Sequence, residues 1–268
     1  PLLRSVVYPG VIMLALAALW VLWHTVRQAP RRALVALLLG VTVVLGAGLM
    51  GRLLACELAR VGHTVDLYDA STPEAPASAA HVAAAMLAPL AESAVTELGV
   101  VRMGSHALLR WPELIATLEQ PVFFQQQGTL VLWHRQDAAE ARRFAGLLER
   151  TQAQLPELAA TQTLDASGLQ LIEPALQDRF NQALYLPGEA QLDNRQLLAA
   201  LLQSLEQQQV QLHWHSPRTP EDFQPGQVGQ PDWVFDCRGL GARTQWTQLR
   251  GVRGEVRRVR RGEEGGGG

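Results

Sequence analysis

The chain has 268 residues, 48% of them hydrophobic, enough for one large domain or two interleaved ones around a sizeable core. A net charge of −2 excludes the global positive field of a nucleic-acid binder, and all 23 basic residues are arginine, so lysine-based covalent chemistry is excluded as well. Two cysteines, Cys56 and Cys237, point away from a disulfide framework and toward a reducing compartment, with both thiols as small buried filler.

Residues 5–26 contain no formally charged side chain, a length that spans a bilayer core, and Trp20 and Trp23 suit an interfacial belt. Arg27, Arg31 and Arg32 follow, which places the rest of the chain on the cytoplasmic side of an inner membrane. The reading is a transmembrane helix over 6–26 within an N-terminal segment 1–40. A signal peptide and an arm foreign to the following domain are the competing readings.

Val41–Leu45 is a β-branched apolar run suited to a strand buried on both faces. Gly46, Ala47, Gly48, Leu49, Met50 and Gly51 then spell G-x-G-x-x-G. The first glycine permits the sharp turn, the second lets backbone approach a pyrophosphate, and the third lets the following helix pack close. Ala55 and Leu58 lie on the sheet-facing side of that helix, Gly62 ends it, and Val65 and Leu67 alternate as a second strand. Asp69 stands at its end, where a carboxylate accepts hydrogen bonds from an adenosine ribose. An ordinary βαβ unit with coincidental glycines is the bland alternative. The spacing favours a dinucleotide, and Asp69 favours FAD or NAD over NADP.

Residues 77–92, ASAAHVAAAMLAPLAE, are rich in small side chains that allow backbone to lie against a flat ring system; a plain Ala-rich helix explains the composition equally well. Residues 97–118 read as a helix that Pro112 breaks or restarts, with His106 a surface or partly buried histidine more readily than a catalytic one. Residues 122–124 and 129–133 flank QQQG as strand–turn–strand. Residues 137–154 form a polar helix, and 156–168 a looser connection. A strand over 183–187 is followed by Asp193 as N-cap of a helix over 195–208, whose Leu197, Leu198, Leu201, Leu202 and Leu205 form an apolar stripe. Residues 210–214 and 233–235 are further strands, the latter buried and leading into CRGLGA.

Several separated blocks resemble the D-amino-acid-oxidase-like flavoproteins, and within them the glycine oxidases of thiamine thiazole synthesis. They are the glycine turn with Asp69, the run A-A-x-x-A-A-A-M-L-A-P, EPALQDRFNQALYLPGEAQLDNRQLLAALL, DCRGLGA and LRGVRGEV. The resemblance implies an α/β fold in which a Rossmann-like FAD-binding domain (41–95 and 191–246) is interleaved with an α+β antiparallel substrate domain (96–190 and a strand within 247–268). It implies FAD, with Gly46, Ala47, Gly48, Leu49, Met50 and Gly51 at the pyrophosphate and Asp69 and Ala70 at the ribose. Ala79, Ala80, Ala84, Ala85 and Met86 would line the cofactor, with Met86 also on the substrate side. Cys237, Arg238 and Gly239 would approach from the returning strand. Arg218 stands where the family has an apolar residue whose backbone meets adenine. No metal is implied.

The charged, glycine-ending stretch after Val259 is not expected to form a packed element. Family members continue further, with the rest of the substrate domain, the arginine that clamps the substrate carboxylate and the last flavin-binding segment. The function implied is oxidation of the C–N bond of glycine or another small amino acid or amine, with oxygen as acceptor. A membrane-anchored amino-acid dehydrogenase that reduces quinone, and a non-catalytic FAD-binding remnant, are the alternatives. No oligomeric state is implied.

Overall fold

The computed structural model describes residues 40–176 and 179–251 of the chain. The expected transmembrane helix over 6–26 and most of the expected last strand lie outside them. No helix among the described residues is long and apolar enough to cross a membrane.

The elements run β1 (Val41–Leu45), α1 (Leu49–Arg60), β2 (Thr64–Tyr68), α2 (Ala79–Val82), β3 (Met86–Leu87), α3 (Pro89–Glu92), α4 (Leu98–Ile115), β4 (Phe124–Gln125) and β5 (Thr129–Leu132). They continue with α5 (Ala138–Gln154), β6 (Gln162–Asp165), α6 (Ala166–Ile172), β7 (Gln182–Leu186), β8 (Ala190–Leu192), α7 (Asn194–Gln207), β9 (Gln211–His213) and β10 (Trp233–Asp236). A parallel sheet of order β10-β1-β2-β9 carries the glycine turn. Between β2 and β9 the chain leaves this sheet and builds two antiparallel sheets, β3-β8-β4 and β5-β7-β6. The mixed α/β architecture therefore combines a parallel nucleotide-type sheet with an antiparallel excursion.

Strand alternation decides what each face of the parallel sheet meets. Thr42, Val44, Val65 and Leu67 lie on one face, and Val44, Val65 and Leu67 pack with Leu53 and Leu58 of α1 and Leu197, Leu201 and Leu205 of α7. Burying each such leucine is worth about 1.5–3 kcal/mol, so the leucine stripe fastens α7 beside α1. Leu202 is only half-buried, at the stripe's margin. The Asp193 carboxylate caps α7, accepting from Arg195 N at 2.9 Å and Gln196 N at 3.0 Å.

The structure corrects five expectations. The segments around QQQG do not pair with each other: β4 joins β8 and β5 joins β7, in separate sheets. Gly128, with φ +79°, sends the chain from one to the other while its N–H donates to Glu189 O at 3.0 Å. Pro112 neither breaks nor restarts its helix. It sits in the last turn of α4, and its carbonyl still accepts from Ala116 N. The connection over 156–168 contains β6 and the start of α6, whose N-cap Asp165 accepts from Gly168 N at 2.8 Å. The alanine-rich stretch is not one helix but α2, β3 and α3 in succession. Lastly, β10 is an edge strand with Trp233 55% exposed, because among the described residues only β1 pairs with it.

Candidate functional site

The glycine turn links the C-terminal end of β1 to the N-terminus of α1. Gly46 adopts φ +95°, and a Cβ there would lie 2.7 Å from the Cys237 carbonyl group. A Cβ on Gly51 would fall 1.8 Å from Gly46 O, so the helix closes directly onto the turn. Both glycines are explained by the protein's own packing. Gly48 is not: its φ is −71°, and a Cβ there would meet only Ser78 Oγ, at 3.4 Å. The open side of the turn thus lies at the position where sequence reasoning puts a pyrophosphate. No side chain caps α1 and its first turn carries no acid, which leaves its N-terminal partial positive charge for an external anion.

Asp69 reaches back across the turn. Its Oδ2 accepts from Ala47 N at 2.5 Å and its Oδ1 from Ser71 N at 2.7 Å. A carboxylate offers about four lone-pair positions, so both oxygens retain capacity for a ribose diol. Ala70 follows on the exposed rim. The fit to an adenine dinucleotide therefore rests on an uncapped helix end, an unfilled second glycine position and an acceptor pair beside them.

Sequence reasoning missed Arg52. Its side chain is among the most deeply buried in the chain, and it donates Nε to Ala47 O at 2.8 Å and Nη1 to Leu198 O at 2.7 Å. Nη2 donates to Pro73 O, and the guanidinium lies 5.7 Å from the Trp214 ring centroid. Burial lowers its pKa from the ordinary arginine value, while Asp69 acts to retain the charge. A charged residue within an amphipathic helix carries no signal that it turns inward.

The alanine-rich segment is held by the first residues of α7. Asn194 Nδ2 donates to Ala80 O and, at 2.9 Å, to Ala83 O, while Arg195 Nε reaches His81 O at 3.3 Å. Ala79 and Ala80 thus sit in α2, with Ala84 and Ala85 on the path to β3. Ala85 has φ +59°, left-handed backbone that is strained for a residue with a Cβ, and its carbonyl accepts from Leu192 N. Met86 is 53% exposed and lies in register with Gln191, which itself pairs with Gln125. One face of the β3-β8-β4 sheet therefore presents a thioether beside side-chain amides, with Gln191 Nε2 donating to Gln125 Oε1 at 3.1 Å.

From the other side of the turn, Cys237 N donates to Leu45 O at 2.7 Å. Burial pushes both cysteine thiols up to about 12, which keeps them protonated and inert at neutral pH. Arg238 forms a two-point pair with Asp236, Nε to Oδ1 at 2.8 Å and Nη2 to Oδ2 at 2.6 Å. Burial alone would raise the Asp236 carboxyl, but the guanidinium holds it below the usual range. Gly239 has φ +55° and opens the turn that follows. Arg218 lies with its guanidinium 5.8 Å from the Tyr68 ring centroid, at the Asp69 end of β2. His106 is exposed on α4.

Residues 42–266 match the family model described as DAO, FAD dependent oxidoreductase. A Rhizobium etli protein named as the thiamine biosynthesis oxidoreductase ThiO is 34% identical over 219 residues, covering 80% of this chain and 58% of its own. Among solved structures, glycine oxidase from Geobacillus kaustophilus aligns with a TM-score of 0.64 at 19% identity, over 79% of this chain and 58% of that one. Iminodiacetate oxidase from Chelativorans sp. BNC1 aligns at 0.58 and 23%, over 78% and 57%. The two structures share the fold, and the chain spans somewhat over half the length of these relatives.

Proposed function

The chain belongs to the DAO family of FAD-dependent oxidoreductases, and from that premise we propose that it oxidises the C–N bond of glycine or another small amino acid or amine to an imine. The observation that carries the reading is the turn at Gly46–Gly51, open at Gly48 and faced by the Asp69 carboxylate. The name of the Rhizobium etli relative supports a place in thiamine thiazole synthesis, and those of the two structural neighbours support a small amino acid as substrate.

The residues present divide the work. Gly46, Ala47, Gly48, Leu49, Met50 and Gly51, with the α1 N-terminus behind them, hold the pyrophosphate. Asp69 would take the ribose, and Arg218 would lie on the side of the adenine. The path through Ala84 and Ala85 into β3 at Met86 gives a wall with few side-chain atoms, against which a flat ring system can lie. FAD held there would supply a two-electron hydride acceptor. The protein orients the substrate and excludes water.

A second reading is supported by the uncharged run over residues 5–26: association with the inner membrane, the flavin domain on the cytoplasmic side, and quinone as electron acceptor. Purification of the full chain, its visible spectrum and a peroxide assay with glycine and iminodiacetate separate the readings. Bound flavin with peroxide on turnover is the expected result. Flavin that substrate reduces and quinone, but not oxygen, reoxidises favours the second reading. Bound flavin that no small amine reduces indicates a non-catalytic FAD-binding protein, and absence of bound flavin contradicts the proposal.

A further inference from the structure

Ala47 is held through both of the peptide units that flank it. Ala47 is fully buried, its N–H donates to Asp69 Oδ2 at 2.5 Å, and its carbonyl accepts from Arg52 Nε at 2.8 Å. A trans peptide is planar, so its C=O and the next residue's N–H point in opposite directions. With Ala47 O drawn inward to the guanidinium, Gly48 N–H is aimed outward, and Gly48 itself is half-exposed.

Arg52 is costly for the fold. A buried cation normally needs a carboxylate partner, yet its three hydrogen bonds go to main-chain carbonyls of Ala47, Leu198 and Pro73. Those carbonyls belong to three segments: the turn, helix α7 and the loop after Asp69. An apolar side chain of similar length would fill the same volume, and the desolvation it avoids offsets the loss of the three carbonyl contacts. The cation stands behind the glycine turn at the uncapped N-terminus of α1.

We propose that Arg52 is the positioning residue of this loop, fixing the Ala47–Gly48 peptide and setting a buried positive charge behind it for the pyrophosphate of an adenine dinucleotide. It touches neither substrate nor reacting atoms. The assignment rests on the flavin-binding reading above and adds to it a determinant outside the glycine fingerprint.

The test compares the full chain with Arg52→Met and Arg52→Lys, stripped of flavin, measuring thermal melting and the dissociation constant for ADP-ribose. Arg52→Met is expected to melt within a few degrees of the parent and to bind ADP-ribose at least about tenfold more weakly, the scale of a lost charge-assisted contact. Arg52→Lys retains the cation but cannot span three carbonyls, so it recovers part of that loss. Parent-like affinity in Arg52→Met overturns the assignment, as does an affinity loss matched by a comparable loss of fold. Should Arg52→Met not fold, Arg52→Lys decides: weaker ADP-ribose binding in a folded chain supports the role, and parent-level binding overturns it. A parent chain that binds neither FAD nor ADP-ribose would instead sink the flavin reading itself.

Discussion

Glu189 shows how one buried carboxyl couples the antiparallel sheets to pH. It is 1% exposed, and its Oε1 accepts from Ala91 N in α3 at 2.7 Å. Burial raises its pKa, with hydrogen bonds from Thr129 and the Ala91 N–H pulling the other way. The folded chain therefore binds this proton more tightly than the unfolded chain. Its contribution to stability is fully present below the unfolded carboxylate value, about 4.3, and is lost as pH rises through the raised folded value. Glu189→Gln, which stays neutral, is expected to flatten that decline in urea-denaturation midpoints measured from acid to neutral pH. Parallel profiles for parent and variant would contradict it. Ala85 offers a second test at this scale. Its left-handed φ of +59° costs about 1–2 kcal/mol, of which glycine's extra unfolded-state freedom returns up to about 1. Ala85→Gly is thus expected to raise stability by up to about 1 kcal/mol in equilibrium denaturation, and a loss of stability would show that the Cβ makes a compensating contact.

At the level of elements, the parts that carry the proposed nucleotide site were the most legible in the sequence. β1, α1 and β2 combine a buried β-branched run, a fingerprint of fixed spacing and a helical face. Each period agrees with the next, so local and tertiary preferences coincide. α7 was legible for the same reason, with its leucine stripe and its Asp193 cap. Asp193→Ala is expected to cost about 1 kcal/mol through exposure of the first-turn amides of that helix, read as a shift in thermal midpoint. What stayed hidden has physical causes too. β6 is an edge strand whose residues are mostly exposed, so no alternation marks it. The two sheets around QQQG are decided by Gly128 and by long-range pairing, which neighbouring residues do not encode. Pro112 is tolerated because it falls in a last helical turn rather than mid-helix. The inward turn of Arg52 is fixed by carbonyls 5, 21 and 146 residues away along the chain.

Across the whole molecule, the parallel sheet, α1, α7 and the β3-β8-β4 sheet share one core, and the β5-β7-β6 sheet rests on a smaller cluster around Leu148, Leu184 and Leu186. Asn194 and Arg195 of α7 and Leu192 of β8 hold the alanine-rich segment through the Ala83, His81 and Ala85 carbonyls, so the wall proposed for the flavin ring is fixed to the larger core. Loss of the Asn194 amide in Asn194→Ala is therefore expected to perturb the visible spectrum of bound flavin more than its adenine-side affinity, measured as absorbance maxima against ADP-ribose binding. Gly48→Ala decides whether an external pyrophosphate, and not protein packing, requires the second glycine. The substitution fits the backbone at φ −71°, so a melting temperature close to the parent's is expected together with loss of FAD and ADP-ribose binding. A Gly48→Ala chain that folds normally and retains FAD with parental affinity would contradict it.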